Sequence, residues 1–118
     1  LNLLLAKASM AAIIQDIETE IETLKKIIKI NPITNVKSLL AQAYLRKNDG
    51  IVNEFIKKLI DEVLSEKPKD PGANFILAKY LNQNGNKNKS RNLLLKILKN
   101  LDDKGPWHQI YKDELNIK

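Results

Sequence analysis

The sequence contains no cysteine and only one histidine, His108. The absence of cysteine excludes disulfide bonds and thiolate metal sites, and it leaves the cellular compartment open. A single histidine cannot supply a histidine pair for a metal ion, and the four glycines form no glycine-rich loop for phosphate. The acidic residues Glu18, Glu20 and Glu22 fit the first turn of a helix better than a catalytic pair of carboxylates. We therefore expect neither an enzyme nor a bound cofactor or metal.

Long apolar runs and strand patterns are also missing. Valine and threonine are few, and no stretch reaches the roughly 18 apolar residues that span a bilayer. No signal peptide is visible. Because the chain begins with Leu1 rather than methionine, we interpret it as a fragment, so these absences do not describe the parent protein. A length of 118 residues leaves room for one domain.

The net charge of +6 raises the question of a nucleic-acid partner. The lysines are scattered and lie mostly late in the predicted helices, where a positive charge is favourable against the helix dipole. No interleaved aromatic residues accompany them. We interpret the lysines as a solvated face, and we expect this fragment to contact neither nucleic acid nor a membrane.

The stretch from residue 68 to 101 has the pattern of two antiparallel helices joined by a short turn. Asp70 is placed to cap the first helix, and Pro71 fills its first position, where a missing N–H costs nothing. Gly85 stands where a left-handed residue commonly ends a helix. Apolar residues recur at helical spacing on both sides of this turn, at Phe75, Leu77, Ala78, Leu81, Leu93, Leu94, Ile97, Leu98 and Leu101. The pattern predicts a helical hairpin.

Further helices are predicted before this hairpin. The first covers about residues 2–13 and is apolar on nearly every side, which leaves two interpretations, the loss of a covering element and an interaction surface. Asp16 can cap the second helix, the third opens at residue 34 or 35, and the fourth covers about 52–66. On the third and fourth helices the residues expected to face inward are Val36, Leu39, Leu40, Ala43, Tyr44, Phe55, Ile56, Leu59, Ile60, Val63 and Leu64.

The hairpin has copies along the chain. Leu-Ala pairs begin at residues 5, 40 and 77, so successive copies lie 35 and 37 residues apart. Each copy continues into a second apolar-periodic helix and then a proline, at Pro32, Pro68 and Pro106. This pattern resembles the tetratricopeptide repeat (TPR). The resemblance implies an all-α fold, a right-handed superhelix of three helical hairpins at about 2–31, 34–67 and 70–101, with a capping helix at about 106–117, in a single domain covering 1–118.

The predicted capping helix carries Trp107, Ile110, Tyr111 and Leu115 at positions i, i+3, i+4 and i+8. A solenoid needs its last repeat sealed from water. We therefore predict that Trp107 and Tyr111 cover the last hairpin rather than bind a ligand.

In the TPR architecture the first helices of successive hairpins line a concave groove. With the repeat phase set by Ala41 and Ala78, the resemblance assigns nine residues to this groove as a peptide-binding set, Asn35, Ser38, Gln42, Leu45, Arg46, Phe75, Lys79, Asn82 and Gln83. Leu45 and Phe75 are the expected apolar anchors, and polar amides flank them. Such a surface suits a peptide or an amphipathic helix.

A narrower resemblance rests on three short motifs and their spacing. They are Asn48-Asp49-Gly50, Asp70-Pro71 and Gly105-Pro106-Trp107. In this arrangement the chain is similar to the C-terminal TPR domain of the CcmI (CycH) family of cytochrome c maturation proteins. The resemblance implies a periplasmic chaperone whose parent protein is anchored in the inner membrane. Such a protein holds the C-terminal helix of apocytochrome c in its groove and delivers the apocytochrome to the haem-ligation complex.

The alternative is a generic TPR scaffold, in the cytoplasm, for the assembly of a multiprotein complex. A chaperone should bind an isolated helical peptide, whereas a scaffold should require the surface of a folded partner. Both interpretations stay open at the level of the sequence, as do the identity of the partner and the oligomeric state.

Overall fold

The computed structural model describes residues 2–117, which form seven helices and no strand. The all-helical prediction is confirmed for this part of the chain. The helices are α1 (Asn2–Ile13), α2 (Ile17–Ile30), α3 (Thr34–Lys47), α4 (Glu54–Glu66), α5 (Pro71–Gln83), α6 (Lys87–Leu98) and α7 (Pro106–Leu115).

The starts of the helices follow from local chemistry. Asp16 and Asp70 each accept a hydrogen bond from the backbone N–H three residues later, and Pro71 fills the first position of α5, as predicted. Asn53 caps α4 in the same way, which places the start of that helix two residues later than expected. The third helix opens at Thr34, one of the two expected positions.

The turns that follow α3 and α5 use left-handed backbone. Gly50 has φ of +81° and Gly85 has φ of +84°. Only glycine adopts this region without steric cost, so both residues suit the reversal of the chain. The prediction for Gly85 is confirmed.

The helices pack in two ways. Each helix packs against the next one along the chain, and α3 also packs against α5, as α5 does against α7. Within residues 2–117 the even-numbered helices α2, α4 and α6 make no backbone approach to one another within 8 Å, and neither does α1 to α3. The helices α3, α5 and α7 therefore form one layer, and we call its surface the odd-helix face.

The core consists of three clusters, each built from three consecutive helices. The cluster of α1, α2 and α3 contains Ala8, Ile21, Leu24, Ile27, Val36, Leu40 and Ala43. The cluster of α3, α4 and α5 contains Ala41, Leu45, Val52, Ile56, Ile60, Val63, Ala73 and Ile76. The cluster of α5, α6 and α7 contains Ala78, Leu94, Ile97, Tyr111 and Leu115. Because α3 and α5 each belong to two clusters, they connect the whole core.

Two residues expected to face inward are exposed. Leu39 is 45% exposed and Phe55 is 54% exposed, so both predictions were wrong. Leu39 lies one position from the buried Leu40, on the side of α3 that faces the gap beside α1. Phe55 lies at the surface with its ring edge against Tyr44, and the two ring centroids are 5.0 Å apart.

The last helix covers the final hairpin. Tyr111 is fully buried, and its hydroxyl donates a hydrogen bond of 2.6 Å to the carbonyl oxygen of Pro71. Burial, with a smaller contribution from the charge of Asp70, raises the pKa of Tyr111 far above its usual value. Trp107 packs beside it on Phe75, with ring centroids 5.7 Å apart. The helix therefore occupies the position predicted for the capping helix.

We predict that Tyr111→Ala lowers the free energy of unfolding by about 3–5 kcal/mol, because it removes a fully buried aromatic ring and leaves a cavity. Ile110→Ala, in the same helix but at a residue that is 38% exposed, should cost less than about 1 kcal/mol. Urea unfolding followed by circular dichroism measures both. Equal losses for the two variants would show that α7 does not seal the core.

Candidate binding surface

Three of the predicted groove residues lie on α3, beside the start of α5. Asn35 accepts a hydrogen bond of 2.6 Å from the ammonium of Lys67. Ser38 is buried and donates a hydrogen bond of 2.8 Å to the carboxylate of Asp70, and the amide of Gln42 donates one of 3.1 Å to the Ser38 hydroxyl. These contacts connect α3 to Lys67, the C-cap of α4, and to Asp70, which caps α5.

The approach of α3 to α5 depends on a glycine. A Cβ atom at Gly72 would overlap the side-chain nitrogen of Gln42 and lie 3.0 Å from the Ser38 hydroxyl oxygen. Because Gly72 lacks this atom, the two helices come close enough for Ser38 to reach Asp70. Ser38 and Gln42 therefore take part in the contact between these helices, and of the two only Gln42 is partly exposed.

Leu45 and Arg46 end the predicted set on α3. Leu45 is only 7% exposed and belongs to the cluster of α3, α4 and α5, together with Ile56 and Ile76. Little of its surface is therefore accessible to a peptide, and its role as an apolar anchor stays a prediction. Arg46 is exposed, and its guanidinium donates a hydrogen bond of 2.6 Å to the carboxylate of Glu20 on α2.

The other expected anchor, Phe75, is partly covered by α7. Its ring centroid lies 5.7 Å from that of Trp107 and 5.8 Å from that of Tyr111. Lys79 lies over the Phe75 ring at 5.0 Å and pairs with Glu114 of α7 at 3.1 Å. The capping helix thus contacts two of the nine residues that the repeat phase assigned to a ligand, Phe75 and Lys79.

The side chain of Gln83 forms hydrogen bonds between the end of α5 and the turn after α3. Its side-chain oxygen accepts a hydrogen bond of 2.9 Å from the N–H of Val52, and its nitrogen donates one of 2.7 Å to the carbonyl of Gly50. Asn82, one residue earlier, is exposed. The predicted residues Lys79, Asn82 and Gln83 line one cavity of about 220 Å³, whose wall also includes Lys87, Arg91 and Glu114.

The nine predicted residues therefore fall into separate places. Most of those on α3 lie at its contacts with α2 and α5, and those on α5 lie near α7 and around the cavity of about 220 Å³. The structure does not bring all nine into one continuous groove. That they bind a peptide stays a prediction.

One polar residue of interest was missed. Glu20 is 4% exposed, and while one carboxylate oxygen accepts the bond from Arg46, the other, Oε1, is buried without a hydrogen-bond partner among the described residues. A buried polar atom without a partner typically costs about 1–3 kcal/mol. The sequence carried a signal for this position, because Glu20 falls at i+3 on the apolar stripe of Ile17, Ile21 and Leu24.

A second cavity lies beside Glu20, with a volume of about 110 Å³. Its lining is otherwise almost entirely apolar and comes from three helices, with Leu5, Ala8, Ser9 and Ala12 on α1, Leu24 on α2 and Leu39 on α3. The exposed residues Ser9 and Leu39 form its rim. The cavity therefore opens between α1 and α3, where these two odd-numbered helices do not meet.

Within residues 2–117 no cluster of histidine and acidic residues could hold a metal ion. None of the helices described there has the length and apolar character required to cross a bilayer.

Comparison of the chain with protein-family models, with curated proteins and with solved structures finds no match. Inferences about function therefore rest on the sequence patterns and on the geometry of the molecule.

We predict that Gln83→Ala lowers the free energy of unfolding by about 1–2 kcal/mol, because both hydrogen bonds to the turn after α3 are lost. Asn82→Ala, at a neighbour that is equally exposed but makes no hydrogen bond to this turn, should change it by less than about 0.5 kcal/mol. Hydrogen exchange at the Val52 amide gives a local measurement, since that N–H loses its acceptor. An unchanged hydrogen-exchange rate at the Val52 amide in Gln83→Ala would contradict this role of Gln83.

Proposed function

We propose that this chain is a protein- or peptide-binding module of the TPR type. Its three hairpins, α1–α2, α3–α4 and α5–α6, coil into a right-handed superhelix that α7 caps. The odd-helix face is the concave side and receives a segment of a partner polypeptide.

One observation carries this proposal, namely the pattern of contacts between helices. Among the described residues α3 contacts α5 and α5 contacts α7, whereas the even-numbered helices have no such contacts with one another. When successive helix pairs touch on one side and not on the other, the row of pairs curves toward the side that touches. Stacked repeats of this kind present an extended concave surface, which such proteins use for binding.

The odd-helix face offers groups that suit an amphipathic helix. Leu39 is an apolar residue with nearly half its surface exposed, beside the partly exposed Gln42 and the exposed Arg46. Phe75 contributes part of an aromatic ring further along the row. An apolar anchor flanked by donors and acceptors is typical of surfaces that bind a helix in a groove. Leu39 takes the role first assigned to Leu45.

The proposed ligand follows from the resemblance to the CcmI (CycH) family. It is the C-terminal helix of an apocytochrome c, held for delivery to the haem-ligation complex in the periplasm by a parent protein anchored in the inner membrane. Two of the motifs behind the resemblance have structural roles here, since Asp70 and Pro71 open α5 and Gly50 accepts the bond from Gln83. These roles support a shared architecture. The identity of the ligand is tested by the binding measurement described below.

The alternative function is a scaffold that docks a folded partner. The exposed apolar side chains of α1 and the turn after it favour it, since Leu3 is 86% exposed, Ile13 is 80% exposed and Ile14 is 70% exposed. Apolar side chains exposed together commonly mark protein interfaces. A scaffold would use this end of the molecule rather than the odd-helix face.

Titration calorimetry with a synthetic peptide of the C-terminal helix of a c-type cytochrome tests the proposal. We expect binding that Leu39→Ala weakens about tenfold, as loss of an apolar anchor should. Phe55→Ala is the matched control. Phe55 is at least as exposed as Leu39 but lies on α4, outside the odd-helix face. The affinity of this variant for the peptide should therefore equal that of the natural protein.

Two outcomes would contradict the proposal. The first is no binding of the peptide to the folded protein, and the second is a larger loss in Phe55→Ala than in Leu39→Ala. Binding of a folded cytochrome without binding of the peptide would favour the scaffold.

A further inference from the structure

The cavity beside Glu20 combines apolar walls with a carboxylate of which only one oxygen has a hydrogen-bond partner. It has a volume of about 110 Å³, and its walls are mainly leucine and alanine side chains of α1, α2 and α3. Glu20 is the acidic residue in this lining, and its Oε1 has no hydrogen-bond partner within residues 2–117. A buried acceptor without a partner among the chain's described groups needs a donor from outside the chain.

The chemistry of the site defines that group. An ionised carboxylate accepts hydrogen bonds and attracts a positive charge, so an occupant that donates from an ammonium satisfies Glu20. The apolar walls suit an aliphatic stem, which lysine carries between its backbone and its charge. The guanidinium of Arg46 already holds the other oxygen, Oε2. The remaining space therefore suits a compact cation on a short chain.

Size and access agree with this choice. At about 30 Å³ for each water molecule, the cavity is equivalent to roughly three or four waters, which matches the last few heavy atoms of a lysine side chain. The exposed rim at Ser9 and Leu39 gives an entry from the odd-helix face. Glu20 Oε1 is itself buried, so an occupant reaches it when the carboxylate turns about its soft last torsion and the exposed guanidinium of Arg46 follows Oε2.

We propose that this cavity binds the ammonium end of a lysine side chain from the partner polypeptide, with Glu20 as the acceptor and the apolar walls around the methylene stem. The inference rests on the proposed function, because the lysine belongs to the segment that lies on the odd-helix face. It adds a requirement for a basic residue beside the position that contacts Leu39.

The site is tested first with a small probe, n-butylammonium, added to isotope-labelled protein at millimolar concentration and followed by amide NMR shifts. The signals of cavity residues such as Ser9, Glu20 and Leu39 should move, and 1-butanol, of similar size and without charge, should bind about tenfold more weakly. Equal binding of the two probes, or shifts spread over carboxylates outside the cavity, would overturn the proposal.

Three variants separate the carboxylate from its surroundings. Glu20→Gln should reduce the affinity for n-butylammonium to that for 1-butanol, and Glu114→Gln, a change at the carboxylate paired with Lys79, should leave it unchanged. Ala12→Leu keeps Glu20 and Arg46 but fills the cavity, so it should abolish binding even if Glu20→Gln disturbs the fold. Ammonium binding that survives Ala12→Leu would place the probe elsewhere and overturn the site.

A peptide experiment distinguishes this inference from the proposed function. Replacing a lysine of the cytochrome peptide with norleucine keeps the four-carbon stem and removes the ammonium. The replacement should weaken binding to the natural protein about tenfold. It should not change the affinity of the peptide for the Glu20→Gln variant. A peptide that binds equally well with every lysine replaced overturns the inference but supports the proposed function. Binding of n-butylammonium without binding of any peptide supports the site and contradicts the proposed function.

Discussion

The close approach of α3 and α5 is the constraint on which the other contacts depend. The carboxylate of Asp70 satisfies two requirements at once, since it caps α5 and accepts the hydrogen bond of Ser38 from α3. Gly72 leaves the space that this requires. Because α3 and α5 each take part in two of the three core clusters, the distance between them determines how both ends of the molecule join the middle.

The sequence predicted the helices well because their signals are local. A cap such as Asp16 or Asp70 bonds within one turn of its own helix, so residue type and position are sufficient evidence. The assignment of inward-facing residues was less accurate, with errors at Leu39 and Phe55. Hydrophobic periodicity identifies the side of a helix that is buried, but the width of the buried stripe depends on how closely the neighbouring helices approach. At Leu39 the neighbouring α1 stays away from α3.

The candidate site could be predicted only in part, because its residues act between helices that are distant in sequence. A repeat phase assigns Ser38, Leu45 and Gln83 to one face, yet it cannot show whether a side chain meets a ligand, the core or the next helix. The structure shows that Leu45 joins the core and that Gln83 bonds a turn more than thirty residues away. Glu20 is different, since its place on an apolar stripe was visible in the sequence.

The arrangement of neighbours also implies a gradient of stability along the chain. In a linear array each helix is held mainly by those beside it, so the number of its neighbours governs how readily it detaches. Within the described chain the backbone of α1 comes within 8 Å of α2 alone, whereas that of α5 does so with α3, α4, α6 and α7. The first helix can therefore separate from α2 while the contacts among the other helices remain. Such a separation would widen the space above Glu20, between α1 and α3, for a partner larger than the closed cavity admits.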